Sequence, residues 1–271
     1  MHWWDGPGWN PISGCRPTTA GCRNCYAATL IATQQTAHEI PIHLGTTDWI
    51  NEKPVFNGTL KILPPGHPLW DYPLQWPGAR DPVMGPGKPS LLWCCNLSDL
   101  FIDERPSSDI DRVVGTVTAS KHIGLLLTKY TRRMCDYFLA LPLRTIEDYR
   151  RKLWLGFSAE RQQEFDHRWE DMQDLAAAGF TTFVSIAPML TPVVLPPDLL
   201  ALGDRAWVIC SGEVRAPDAR YMEPDWARAV RDQCARAAVP FFVLQMSRKA
   251  PIPADLRIWR RVPRVLEGAS P

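Results

Sequence analysis

Three cysteines stand within the stretch "WNPISGCRPTTAGCRNCYA", Trp9 to Ala27. Six residues separate Cys15 from Cys22, and two separate Cys22 from Cys25. Thiolates bind soft metals, so the first question is which metal takes three of them. A structural zinc closes a tetrahedron with four ligands. It would have to recruit His2, His38, His43 or a distant cysteine. A [4Fe–4S] cube also has four corners, and three cysteines leave one iron open to a cofactor or substrate. Cys22-Arg23-Asn24-Cys25 could be a redox dithiol, which leaves Cys15 idle. Buried thiols in a tight loop are the plainest reading. Gly14 and Gly21 each precede a cysteine and would let the backbone turn closely around a bulky inorganic group.

The other five cysteines read differently. Cys94 and Cys95 are adjacent, so on a strand they point to opposite faces and cannot easily share one tight site. They read mainly as core, with one of the two able to face a barrel interior. Cys135, Cys210 and Cys234 read as core.

Something must hold the cysteine loop, and the sequence beyond residue 90 supplies a regular frame. Short apolar runs end in polar clusters: "SLLWCCNLSD" (Ser90 to Asp99), "IGLLLTK" (Ile123 to Lys129), "LWLGFSAE" (Leu153 to Glu160), "TTFVSIAP" (Thr181 to Pro188), "AWVICSGE" (Ala206 to Glu213) and "PFFVLQMS" (Pro240 to Ser247). Continuous apolar runs of this length suit buried parallel strands. Helical patterns lie between them at Ser107 to Ser120, Arg161 to Gly179 and Glu223 to Ala238. Gly179 is a normal helix stop and Pro224 sits where a first turn tolerates proline. The expected fold is α/β, a partial (β/α)6-type barrel of parallel strands with a Pro/Gly-rich insertion at about residues 41–89. Its domain would span residues 1–250, followed by a basic tail, 251–271, carrying Arg257, Arg260, Arg261 and Arg264. "ILPPGHPLWDYPLQWPGARDPVMGPGKP", Ile62 to Pro89, reads as a long ordered loop, because proline lacks the N–H that helices and central strands need.

In such folds the site forms at the carboxyl ends of the strands. The polar residues there are Asn96, Ser98 and Asp99; Thr128 and Lys129; Ser158 and Glu160; Ser185; Ser211, Gly212 and Glu213; and Gln245. Trp3, Trp4 and Trp9 read as structural aromatics, with base stacking the alternative.

The 271 residues are long enough for a full core, and 30 basic side chains nearly balance 29 acidic ones. Bulk charge therefore gives no sign of a strongly electrostatic nucleic-acid binder. Met1-His2-Trp3-Trp4-Asp5 does not resemble a secretory leader, and no apolar run approaches the ~20 residues of a membrane helix. The expectation is a cytoplasmic chain without a membrane partner. Disulfides are rare in that compartment, so a tight cysteine cluster points to metal or catalysis.

"WNPISGC…GCRNCYA" resembles the W-N-P-x-x-G-C…G-C-x-x-C-Y-A opening of a phage-associated, uncharacterised family that is itself similar to radical S-adenosylmethionine (SAM) enzymes. "CNLSDLF" (Cys95 to Phe101) resembles its N-S-M-S-D-L-F segment, "LLTKYTRRM" (Leu126 to Met134) its L-T-K-R-x-x-R-M, and "LWLGFSAERQ" (Leu153 to Gln162) its W-L-G-V-S-V-E-N-Q. The block from Trp207 to Ser247 resembles its W-V-I-x-G-G-E…R-D-Q-C…V-P-F-F-x-K-Q-W-G. There are departures. Ala187-Pro188-Met189-Leu190 replaces E-P-L-L, Ser211 replaces a glycine, and Leu244 and Met246 replace a lysine and a tryptophan. The first cysteine interval, six residues, is longer than the three common among radical SAM enzymes.

The resemblance implies a [4Fe–4S] cluster on Cys15, Cys22 and Cys25 with SAM on the open iron. Tyr26 would pack on the adenine or shield the cluster. Asn96, Ser98 and Asp99 would lie where SAM's ammonium is held, and Ser158 and Glu160 near its ribose or carboxylate. Lys129, Glu213, Arg220 and Gln245 would face the substrate. It further implies radical-based modification or isomerisation, with a hypermodified pyrimidine in phage DNA or a free nucleotide as substrate. Flavodoxin or ferredoxin would donate electrons, and Arg248, Lys249 and the tail arginines would form a basic edge. The competing reading is a zinc-stabilised nucleic-acid-binding protein without catalysis.

Overall fold

The computed structural model describes residues 4–38, 40–214, 218–257 and 262–263. In chain order the strands and α-helices are β1 (Ile12–Ser13), α1 (Tyr26–His38), β2 (Thr47–Ile50), β3 (Lys53–Phe56), β4 (Lys61–Ile62), α2 (Tyr72–Gln75), β5 (Leu91–Cys94), α3 (Ser107–Ala119), β6 (Ile123–Thr128), α4 (Thr131–Leu139), α5 (Leu143–Tyr149), β7 (Leu153–Ala159), α6 (Gln162–Ala177), β8 (Thr181–Ile186), α7 (Pro197–Leu200), β9 (Ala206–Ser211), α8 (Pro224–Arg236), β10 (Phe241–Gln245) and α9 (Ala254–Arg257).

The six apolar runs all form strands. They lie in one sheet in the order β10-β9-β8-β7-β6-β5, every neighbouring pair parallel. The sheet curls into a half-barrel, a mixed α/β architecture consistent with the expected partial barrel. Sequential parallel strands need crossovers, and the helices supply them on the convex side.

Side-chain alternation divides the strands cleanly. On β7, Leu153, Leu155, Phe157 and Ala159 face the helices and join the main core. Trp154 faces the concave side, with Trp93, Leu125, Phe183, Trp207, Ile209 and Phe242. Toward the carboxyl ends the concave positions become small or polar: Gly156, Ser158, Ser185, Ala187 and Ser211. The aromatic layer therefore stops partway up, and a hollow opens above it.

The amino-terminal arm covers one sheet edge. Asp5 N–H bonds Leu91 O at 3.0 Å, Trp9 N–H bonds Trp93 O at 2.9 Å, and Cys95 N–H returns to Trp9 O at 2.7 Å. An edge strand left bare would invite foreign pairing. Here the arm both covers β5 and launches the cysteine loop from beside it. Trp9 is fully buried, with its indole N–H on Leu69 O at 2.8 Å, which makes it a structural aromatic. Trp3 and His2 lie outside the described residues.

The helices α1, α4 and α5, and the one-turn α7 and α9, arise where the sequence reading proposed none. The β6–β7 crossover reads as a motif ("LLTKYTRRM") and hides the amphipathic α4. The insertion is also more ordered than a plain loop. β2 and β3 form a hairpin through left-handed Asn51 and Glu52, and β4 pairs antiparallel with β1. The one-turn α2 forms inside the proline-rich stretch because Pro73 falls in its first turn, where no N–H is needed. Of the tail arginines, Arg257 ends α9, while Arg260, Arg261 and Arg264 lie outside the described residues. No described helix is long and apolar enough to cross a membrane.

Two glycines test this packing. A Cβ on Gly156 would sit 2.5 Å from the Phe183 ring on the concave face, whereas one on Gly115, exposed in α3, would meet nothing within 4 Å. Gly156→Ala should lower unfolding free energy by about 1–3 kcal/mol through overpacking. Gly115→Ala should raise it by about 0.5–1 kcal/mol. Denaturant titration of both variants reads the opposite signs.

Candidate functional site

The hollow above the aromatic layer is a cavity of about 560 Å³. Cys15, Cys22 and Cys25 all border it, with Tyr26, Asn96, Ser98, Asp99, Lys129, Ser158, Glu213 and Gln245. The two apolar departures, Ala187 and Leu244, are on the same wall. Cys95 borders it too, in a left-handed conformation at φ 59°, whereas Cys94 turns into the core. All eight cysteines are unpaired thiols. Of the residues expected at the site, Glu160 and Arg220 do not border this cavity.

Glu160 lies beneath the cysteine turn with no solvent exposure at all. One carboxylate oxygen accepts from Thr19 Oγ1 at 2.9 Å and from Lys129 Nζ; the other accepts from Arg168 Nη1 at 3.3 Å. Lys129 Nζ also reaches Thr19 Oγ1 at 2.9 Å and Cys22 Sγ at 3.5 Å. Burial pushes the Glu160 carboxyl up, but the Lys129 ammonium and then Arg168 outweigh it, and the group stays below its ordinary value. Burial likewise depresses Lys129, yet Glu160 and Cys22 hold it protonated. A Cβ on Gly21 would fall 2.3 Å from the Glu160 carboxylate. Gly21 is therefore required by close approach, while Gly14 is required by its φ of 90° and by contact with Thr59 O. Placing Glu160 against SAM's ribose or carboxylate does not fit this geometry. Lys129 is likewise committed to the loop as much as to the cavity.

Other expected ligands also hold structure. Asp99 accepts from Thr128 Oγ1 at 2.6 Å, Phe101 N at 3.0 Å and Lys129 N at 2.9 Å, and burial raises its carboxyl above the ordinary range. Ser98 Oγ bonds Gly14 O, pinning the cysteine loop to the end of β5. Tyr26 donates its hydroxyl to Asn96 O at 2.6 Å, and Asn96 Oδ1 accepts from Asn10 at 2.9 Å. Glu213 accepts from Asn24 Nδ2 at 2.9 Å and from Arg220 through the backbone at 2.8 Å and through the guanidinium. Burial would raise this carboxyl, and Arg220 more than offsets it. Asp218 bridges Arg23 at 3.0 Å and Lys53 at 2.6 Å, and Lys53 reaches Asn24 at 2.8 Å. Gln245 donates to Gly212 O at 3.3 Å. Arg248, assigned to a basic edge, donates instead to Ala219 O at 3.0 Å.

The sequence reading missed Arg168, Asn24 and Lys53 as parts of the site, and Trp4, read as a structural aromatic, lines the cavity. Only Arg168 carried a local signal, since it lies about two turns into α6 on the buried face with Phe165, Trp169 and Met172.

The thiols differ in setting. Burial pushes Cys15 and Cys25 up. At Cys22 the same burial is outweighed by the Lys129 charge and by the Thr18 and Thr19 N–H groups, so it falls below the ordinary thiol value. Thr18 N lies 3.4 Å from Cys22 Sγ. Among the described residues no group of three or more His, Cys, Asp or Glu is arranged to hold a metal ion. His43 is turned away, paired with Ser13 Oγ at 2.9 Å. A cube asks for a different arrangement from a single ion, because its thiolates bind separate corners around a larger space. Three free thiols on the wall of one cavity, one already next to an ammonium and amide N–H donors, fit that demand.

The chain matches the model of the family described as "Protein of unknown function (DUF5131)" over residues 1–269, and it belongs to that family. No curated protein and no solved structure matched it.

Lys129→Met should cost about 3 kcal/mol by stranding part of a buried charge, and the double variant Lys129→Met/Glu160→Met should recover part of that loss. Glu160 is depressed below its ordinary 4.5, so its contribution is complete above that value and is lost as pH falls through the lower folded-state value. Glu160→Gln should flatten the acid limb of stability against pH. An acid limb unchanged in Glu160→Gln would show that the pairing contributes nothing.

Proposed function

We propose that this chain is a radical SAM enzyme, and the observation that carries this reading is the convergence of the three-cysteine loop with the carboxyl ends of the parallel strands on one cavity. Cys15, Cys22 and Cys25 would hold a [4Fe–4S] cluster. Such a cluster, when bound, would supply the one electron that cleaves SAM to methionine and a 5′-deoxyadenosyl radical, and that radical would take a hydrogen atom from the substrate to give 5′-deoxyadenosine and a substrate radical.

The chain's own residues would do the rest. Lys129 and the Thr18 N–H offset negative charge at Cys22. Tyr26, tied to Asn96, stands beside the last thiol on the cavity wall. Ser158, Ser185 and Gln245 offer hydrogen-bonding groups to the bound molecules. The aromatic floor would keep solvent and outside reductant away from the reacting groups. The cavity wall fixes the distance between the reacting carbon and the radical. Asp99 and Glu213 act by holding the loops on either side.

The substrate we favour is a pyrimidine base, either in phage DNA or as a free nucleotide, modified or isomerised at a substituent. An electron donor such as flavodoxin or ferredoxin would complete the cycle. A base in a duplex would have to flip out, at a cost of a few kcal/mol.

Anaerobic purification or reconstitution should give a brown protein with about four iron atoms and matching sulfide per chain. Ala at Cys15, Cys22 or Cys25 should abolish loading, whereas Cys234→Ala, in the core, should not. Dithionite and SAM should then release 5′-deoxyadenosine. A colourless protein with stoichiometric zinc would overturn this reading in favour of a non-catalytic zinc protein.

A further inference from the structure

Every charged side chain on the cavity wall among the described residues already has its partner within the protein. Lys129 is paired with Glu160, and Glu213 with Arg220. Asp99 is saturated by a hydroxyl and two backbone N–H groups. Arg16, more than half exposed at the mouth, is paired with Glu104. What remains for a bound molecule is neutral. Ser158 and Ser185 stand side by side in register on β7 and β8, and neither hydroxyl has a partner among the described residues. Trp4 and Trp93, packed edge to face with centroids 4.3 Å apart, and Leu127 form the apolar side. Ala187 and Leu244 add no charge where the resembled pattern carries a glutamate and a lysine.

SAM's charged groups would be held at the iron, but an ion entering the part of this space lined by Ser158, Ser185, Ala187 and Leu244 would lose its hydration and gain no side-chain counter-charge, which is strongly unfavourable. An uncharged group with an apolar body and a hydrogen-bonding edge meets no such penalty. We infer that the part of the substrate admitted to the cavity is uncharged, and that any phosphate or carboxylate it carries stays outside the mouth. This rests on the cavity being the substrate chamber, as proposed above. It selects a neutral heterocycle, such as a base separated from its phosphates, over an acidic or zwitterionic group. Leu244 and Ala187 are then specificity determinants, because a charge at either would create the counter-ion that is now missing.

The test uses two fluorescent probes of nearly the same shape on the anaerobically purified protein, neutral phenylnaphthylamine and its anionic relative anilinonaphthalene sulfonate. The neutral probe should bind at least about tenfold more tightly, the cost of one uncompensated charge. Ser185→Trp, and independently Ser158→Phe, should fill the space and abolish that binding. Leu244→Lys should reverse the preference toward the sulfonate. Equal affinity for both probes, a preference for the sulfonate in the natural chain, or neutral-probe binding that survives both blocking variants would overturn the inference, as would no binding of either probe. Neither probe needs SAM or reductant. Iron content and 5′-deoxyadenosine release therefore report separately on the radical chemistry.

Discussion

A fully buried carboxylate cannot persist without partners, since the desolvation of an isolated charge costs far more than a domain's net stability. Glu160 meets that demand by drawing three parts of the fold to one point. Lys129 comes from the end of β6, Arg168 from α6, and Thr19 from the turn that carries Cys22. The turn must come so close that its Gly21 has no room for a side chain. The position of the second cysteine is thus set from below by electrostatics and from above by the loop's own tether, Ser98 to Gly14.

A second set of charges closes the other side. Asp218 with Arg23 and Lys53, and Glu213 with Asn24 and Arg220, link the loop after β9 to the segment between Cys22 and Cys25. The two networks share a consequence. Charges that the sequence offers as ligands are consumed in holding the cysteine loop rigid. The cavity itself keeps thiols, hydroxyls, an amide and aromatic faces. The paired charges therefore set the position and field of the cysteine loop, while the groups left facing the cavity are small and polar.

Much of the frame was legible in the chain. β5 to β10 each occupy an apolar run, because a strand buried on both faces cannot carry polar residues in its middle. α3, α6 and α8 followed from periodicity, and Gly179 does end α6's turn, at φ 92°. α1 was not legible, since "YAATLIATQQTAH" has almost no apolar face. α4 was masked by its density of charged residues. The proline-rich insertion hid a hairpin whose first strand is largely exposed and so lacks an alternating signature.

The cysteine spacing, the strand pattern and the polar strand ends are local properties, and they determined the class of fold and which stretches of chain border the cavity. Which polar residue would face the cavity and which would be consumed beneath it was decided only in three dimensions. Thr19 meets Glu160 across 141 positions of sequence, and Asn24 meets Glu213 across 189. No spacing rule reaches that far. A carboxylate at a strand end reads the same in sequence whether it faces a ligand or a buried cation. The difference is the partner that folding brings to it, and with the partner the sign and size of its electrostatic environment.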